Sequence, residues 1–395
     1  MVIISLSHTE TIYQTSGAEF DVVNGVRWGY IFSQMARESS LADFHRRNGA
    51  VFVESDDWLL PARFGAHDAE YNAVRSAVGL IDFSHRGLLQ FTGADRFSFL
   101  QGMLSNDLLA LKPFAGHYST VLNQQGKVLA DVRVLCAMNS LYLDFWESLK
   151  DKIVTHLSRY LVADEVEIAD RSEAHAILSL QGPQAEALLL RLAGQAELPR
   201  LIAHHVMIDV DGASICVVRA SHTGEAGFDL IMPKTQLINI AHRLTDTGKQ
   251  FSAAWIGQEA LDTLRIEAGI PRYGTDFGED NLLLETGLDD HVSFTKGCYL
   301  GQEIVERVRS RGHVNKRLSG MLIDGAIPAR HGDPIRVGEK PVGMITSSVY
   351  SPTLKRAVAL GYIHRDYWEP GTPATVASGT GFLGASVTEL PFVRS

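Results

Sequence analysis

The stretch Lys296-Gly297-Cys298-Tyr299-Leu300-Gly301-Gln302-Glu303 concentrates side chains capable of chemistry. Lys, Cys, Tyr, Gln and Glu put five reactive or hydrogen-bonding groups into eight positions, and two glycines four residues apart call for a tight turn or a close backbone approach. A lone cysteine is ordinarily a small buried hydrophobe. A lysine two residues away changes that reading, because a nearby cation lowers a thiol pKa and the thiolate is a nucleophile or metal ligand. Cys298 is therefore the candidate reactive thiol.

Other groups of this kind stand elsewhere in the chain. On a strand expected from Lys127 to Leu135, alternation sends Val128, Ala130, Val132 and Val134 one way and Leu129, Asp131 and Arg133 the other. A carboxylate and an arginine are thus offered on one surface. Glu225 follows Thr223-Gly224, either as a charged turn residue or as a ligand-binding carboxylate. Arg265 and Glu267 share a helical stretch with Leu261, Leu264 and Ala268, where an ion pair and an anion contact are both open. Tyr118 and Tyr273 suit a pocket wall or a packed core. Arg307, Arg309, Arg311, Lys316 and Arg317 form a basic run, ordinarily a solvated face.

The hydrophobic pattern supplies the elements that must position these groups. Ala73, Val74, Ala77 and Val78 predict a helix, with Gly79 placed to end it. A strand through Leu88, Leu89 and Phe91 leads by Gly93-Ala94-Asp95 into a helix whose Phe97, Leu100, Met103 and Leu104 share a face. A hairpin turning at Asn123 to Gly126, a strand from Leu141 to Phe145 and a helix carrying Ile153, Leu157 and Leu161 follow. The plan then repeats. Ala176 to Leu180 enters a helix of Ala185, Leu188, Leu189 and Leu192, followed by a hairpin at Asp211-Gly212, a run to Met232 and a helix with Leu237, Ile240 and Leu244. Beyond Arg317, short β-like runs alternate with Gly, Pro and Asp. The expected fold class is α+β, with two ferredoxin-like halves enclosing a ligand site and a C-terminal β-barrel or jelly-roll-like domain. The expected boundaries are 1–40, 41–170, 171–316 and 317–395.

Composition narrows the function classes. A chain of 395 residues with 45% hydrophobic and 21% charged content is of soluble globular type and buries large cores without staples. A net charge of -10 argues against general nucleic-acid binding, which needs cations to displace phosphate counterions. No apolar run has the length of a membrane helix and no basic-then-apolar leader opens the chain, so a soluble, unexported protein is expected. Cys136, Cys216 and Cys298 are far apart and lack zinc-site spacing, which points to the reducing cytoplasm. Residues 1–40 lack a sustained period and read as an extension, disordered or added by an upstream start codon, with Met35 as the expected true start.

Residues 296–303 resemble the diagnostic motif of YgfZ-type folate-binding proteins, a branch of the superfamily containing the glycine-cleavage T-protein, a tetrahydrofolate-dependent aminomethyltransferase. Asn106-Asp107, Gly126 to Asp131, Thr223 to Phe228, Leu264 to Gly269 and Ser351 to Leu354 fall in the family's order, so the resemblance runs from Leu41 nearly to the C-terminus. It implies a central tetrahydrofolate site. There Asp131 would lie beside the reactive nitrogens, orienting the amine and stabilising a developing cation. Glu225 would accept paired N–H donors of the pterin, Arg265 would face the glutamyl part, and Tyr118 and Tyr273 would form walls. Two positions depart from the T-protein pattern: Ala130-Asp131 replaces two adjacent aspartates, and His222 replaces a tyrosine, so no role is carried onto His222. The eight-residue motif implies support of iron–sulfur cluster assembly or repair through Cys298, with iron–sulfur assembly proteins as partners. The Ser351 to Leu354 pattern implies the alternative, an aminomethyl or related one-carbon transferase, or folate-dependent demethylase, partnered in the first case by a lipoyl carrier protein.

Overall fold

The computed structural model describes residues 3–5, 18–23, 26–31, 36–194, 196–310, 312, 314–379 and 381–394. Met35, the expected start, and Arg311 of the basic run lie outside the described residues. Before Ala36 three short strands, Ile3–Ser5, Ala18–Val23 and Val26–Ile31, pair antiparallel.

Alternating apolar residues in the first half build a five-stranded antiparallel sheet in the order Glu167–Asp170, Arg86–Thr92, Leu141–Trp146, Val128–Cys136, Gly116–Leu122. Leu89, Phe91, Val132, Val134 and Leu143 on one side of it pack with Leu100 of the helix Arg96–Met103 and Ile153 of the helix Lys150–Ser158. Each such fully buried side chain contributes about 1.5–3 kcal/mol relative to exposure. The hairpin register shifts between Val128 and Ala130. Beyond that shift Asp131 and Arg133 alternate with the core residues and emerge on the opposite face.

The repeat forms a six-stranded sheet in the order His205–Val210, Ala213–Arg219, Gly227–Pro233, His175–Gln181, Val78–Asp82, Ala253–Trp255, the last pair parallel. Leu188, Leu189, Ile240 and Leu244 from the helices Ala185–Ala193 and Leu237–Gly248 cover one face. Val78–Asp82 precedes the first sheet in sequence yet pairs with His175–Gln181 of the second, so the halves are interlocked. The helix His67–Ser76 ends before Gly79, which lies inside the strand. A Cβ there would come within 2.4 Å of Val74 Cγ2, so Gly79 permits close passage of strand under helix and is not the helix terminator.

Phe83, Leu88, Leu135, Ile177, Val218 and Ile231 join Leu261 and Leu264 of the helix Gln258–Glu267 in a further core that draws on both sheets. The C-terminal region closes into a six-stranded antiparallel barrel, Lys316–Ile323 to Arg356–His364, Lys340–Ser351, Pro334–Val337, Pro373–Ser378 and Gly381–Thr388. Met321, Ile335, Ile345, Val376 and Val387 fill it. The fold is thus mixed α+β with a closed C-terminal barrel. Among the described residues no helix is long and apolar enough to cross a membrane, and no cluster of three or more His, Cys, Asp or Glu side chains suits a metal.

Candidate active site

The face of the first sheet that carries Asp131 and Arg133 meets the second half and the helix Gln258–Glu267 around a cavity of about 360 Å³. That volume lies within the range of small-molecule sites, about 300–1,000 Å³. Tyr118, Asp131, Arg133, Arg86 and Trp146 line it from the first sheet, His222 from the second half, Arg265 from the helix, and Arg272 and His291 from the following loops. Trp146 is flanked by two guanidinium groups, Arg86 and Arg272, each 5.1 Å from its ring centre. Tyr118 stacks on His291 with centroids 5.1 Å apart and planes 24° from parallel.

Asp131 is the exceptional group. Its Oδ1 is buried and has no hydrogen-bond partner among the described residues. Burial pushes the carboxyl above the ordinary aspartate range, while His291 and Arg86 pull the other way. A recessed acceptor without a donor costs stability, so its place in a cavity points to a ligand that supplies the missing donor or cation.

Behind the lining runs a chain of buried charges. Arg86 Nε donates to Asp144 Oδ1 at 2.6 Å, Arg133 pairs with Asp144, and Arg133 Nη1 donates to Asp229 Oδ2 at 2.6 Å. His222 Nε2 completes the chain, 3.0 Å from both Asp229 oxygens. Burial alone would raise the Asp229 pKa, but His222 and Arg133 reverse that effect and hold it well below the ordinary range. Partnering offsets the cost of desolvating Arg133, which is 1% exposed.

Of the residues anticipated from sequence, the cavity brings together Tyr118, Asp131 and Arg265. Arg265 is also a structural knot: it binds Asp262 at 2.7 Å, Asp276 at 2.8 Å and Ser347 of the barrel at 3.1 Å. Glu225, Tyr273 and Cys298 do not line the cavity. After Gly224, whose φ is +84°, the chain delivers Glu225 to Arg75 Nη1 at 2.8 Å, and Arg75 bridges onward to the buried Glu267. The second-half carboxylate behind the cavity wall is Asp229, four residues on, at the third position of the strand Gly227–Pro233. Tyr273 accepts from Lys152 Nζ at 3.2 Å and packs edge-on against Phe277. Asp229, His222, His291 and Trp146 were not anticipated as site residues. The apolar strand around Asp229 was the available signal, since a carboxylate inside such a run demands a buried partner.

The eight-residue motif has a structural role. Lys296 Nζ donates to three backbone carbonyls, Gln101 at 2.7 Å, Leu104 at 2.6 Å and Asn106 at 2.9 Å, at and after the C-terminal end of the helix Arg96–Met103. Burial pulls the ammonium down to about 8, with Asp107 opposing, so it stays charged at neutral pH and favours the carboxy end of the helix. Leu300 N donates to Gly102 O at 2.9 Å, and Gly301 lies against the hairpin turn at Asn123. The motif therefore clamps the helix and hairpin of the first half to the loop that carries it. A Gly301→Ala change would set a Cβ 2.7 Å from Asn123 O at a φ of +84°, and is expected to cost about 1–3 kcal/mol in chemical unfolding. Cys298 is exposed, and the ammonium of Lys296 is engaged elsewhere. Of the basic run, Arg307 pairs with Glu303 at 2.8 Å and Arg309 with Glu306 at 3.4 Å, while Lys316 lies over the Tyr362 ring and Arg317 over the Trp368 ring.

Comparison with known proteins agrees with this architecture. The GCVT N-terminal domain family model matches residues 41–296, and that of the glycine cleavage T-protein C-terminal barrel domain matches residues 316–394. An aminomethyltransferase of Rubrobacter xylanophilus is 34% identical over 360 residues, covering 91% of this chain and 94% of its own length. One from Bacillus subtilis is 30% identical over 364 residues, covering 91% of this chain and 100% of its own. The crystal structure of glycine cleavage system aminomethyltransferase T from Bartonella henselae superposes with a TM-score of 0.84 at 25% identity, covering 91% of this chain and 98% of that one. These relatives overturn the expectation, drawn from residues 296–303, of an iron–sulfur assembly or repair factor. The local reason is that the motif's lysine and second glycine are committed to packing and its cysteine lies away from the cavity. With both of its domains matched by the corresponding family models, the chain belongs to the glycine cleavage T-protein family.

Proposed function

We propose that this protein is a tetrahydrofolate-dependent aminomethyltransferase that takes its one-carbon unit from a lipoyl carrier protein. The observation that carries this reading is the unpartnered Asp131 oxygen recessed in the cavity. Reduced folate, when bound, supplies the amine nitrogens that accept the carbon. Asp131, on a rigid strand, would align the accepting amine and offset positive charge as the carbon changes partners. The stacked Tyr118 and His291 offer a flat wall, and Trp146 between Arg86 and Arg272 another. Such surfaces suit a planar heterocycle carrying polar groups. Arg265, fixed by Asp262, Asp276 and Ser347, would face the anionic part of the ligand without having to be ordered on binding. Three free cysteines suit work in the cytoplasm.

Incubation of the purified protein with an aminomethylated lipoyl carrier and tetrahydrofolate tests the proposal. Methylenetetrahydrofolate and ammonia should form together, each requiring both substrates. Normal folate binding without either product would exclude the transferase. Cys298→Ala should leave the rate within about twofold, since a surface side chain away from the cavity acts on neither reactant.

A further inference from the structure

Four guanidinium groups stand on the cavity wall, Arg86, Arg133, Arg265 and Arg272. Three of them are engaged through their terminal nitrogens: Arg133 with Asp144 and Asp229, Arg265 with Asp276 and Ser347, and Arg272 with Asp56 at 3.1 Å. Arg86 differs. Its Nε donates to Asp144 Oδ1 at 2.6 Å, but neither Nη1 nor Nη2 has a hydrogen-bond partner among the described residues. The register of the strands Arg86–Thr92 and Leu141–Trp146 sets Arg86 directly opposite Trp146, and the guanidinium carbon lies 5.1 Å from the centre of that ring. With the Nε edge bound and the group packed on the indole, the Nη edge is what remains for a ligand. The side chain is 10% exposed, so water supplies little of what those N–H groups lack.

Asp131 is the complement, a buried carboxylate oxygen in the same cavity that lacks a donor. Burial raises the Asp131 pKa and the charge of Arg86 is among those opposing it, yet no hydrogen bond joins the two side chains. An acceptor and a set of donors therefore face the same ligand from separate points of the wall. A reduced pterin carries the matching pair: its N5 amine, one of the nitrogens that can take up a carbon unit, lies beside the C4 carbonyl oxygen across the ring fusion. We infer that Arg86 donates its Nη–H groups to that C4 oxygen while Asp131 faces N5, which makes Arg86 a specificity-determining residue for 4-oxo over 4-amino pterins. The inference rests on the folate reading for the ligand's class. A 4-amino pterin sets a donor against the Arg86 donors and leaves them unpaired in a dry recess, and a site built around a polar contact rejects a ligand that cannot make it. Charge assistance strengthens the contact with the oxo form, and anchoring by Asp144 and Trp146 means that little side-chain freedom is lost on binding.

Anaerobic calorimetric titration with tetrahydrofolate and with tetrahydroaminopterin, which differ only in oxygen or amino at C4, tests the contact near neutral pH. The wild-type protein should favour tetrahydrofolate by about tenfold or more. Arg86→Met should bind tetrahydrofolate roughly tenfold more weakly and bring the preference down to about twofold, with tetrahydroaminopterin bound as well as before or better. Arg86→Lys, which keeps a cationic donor, should retain part of the preference. The preference is a ratio taken within one protein, so a general loss of stability on removing the Asp144 partner does not imitate the expected change. Wild-type protein that binds both compounds alike overturns the inference, whether or not the variants fold. So does an Arg86→Met protein that loses affinity for both in equal measure, which would assign the Nη groups to another part of the ligand or to the fold. Wild-type protein that binds neither compound overturns the folate reading, and this assignment falls with it.

Discussion

Asp131→Asn is expected to lower one-carbon transfer by about 10²–10³-fold, the loss typical of removing a charge-stabilising group aimed at a reacting centre. Reduced-folate affinity should change far less, because the amide keeps an oxygen acceptor in place and the remaining walls are untouched. Rapid-quench turnover and calorimetric binding measured on the same preparation separate the two effects. Stability should move in the opposite direction to activity. Burial raises the folded-state pKa of Asp131 above its unfolded value, so the folded state binds that proton more tightly. The carboxylate therefore subtracts stability at neutral pH, and the deficit disappears as pH falls below the unfolded pKa. An Asn at this position removes the deficit, and the variant should unfold at the same or a higher denaturant concentration than wild type at neutral pH. A variant that is both fully active and less stable would make Asp131 a structural carboxylate and leave the transfer chemistry without a centre.

The second large effect belongs to the motif that first drew attention as a reactive site. Lys296→Met is expected to destabilise the protein by about 1–3 kcal/mol, since it leaves the Gln101, Leu104 and Asn106 carbonyls without their donor. Cys298→Ala, two residues on, should change stability by less than about 0.5 kcal/mol because the side chain is exposed. Urea denaturation of the pair tests the clamp directly. If the cysteine variant were the damaging one and the methionine variant neutral, residues 296–303 would have to be read again as a functional surface.

The contrast shows what one dimension conceals. Composition marked 296–303 as rich in reactive groups, but reactivity depends on what each group faces. Lys296 faces carbonyls from a helix nearly two hundred residues earlier, a distance in sequence that no local pattern reports. The same limit separates Glu225 from Asp229. Glu225 follows a glycine turn and looks available, yet that turn points it at Arg75, whereas Asp229 sits in an apolar strand and is carried behind the cavity wall by its register.

Alternation from Ala130 to Val134 determined by itself that Asp131 and Arg133 would share a face opposite Val132 and Val134, because strand side chains alternate with period two where the ladder is regular. The expected placement of Val128 with those valines and of Leu129 with Asp131 fails, because the bulge between Val128 and Ala130 sends Leu129 into the core with Val132 and Val134 and Val128 into another cluster. Periodicity likewise determined the repeated α+β plan and the change to short strands after Arg317. Tertiary structure alone decided that Val78–Asp82 would cross into the second sheet and that Asp131 would be left without a partner while Arg133 acquired two. It also decided that His222 would enter the cavity. Those outcomes follow from long-range pairing and desolvation, which depend on how distant segments meet and have no counterpart in the spacing of residues along the chain.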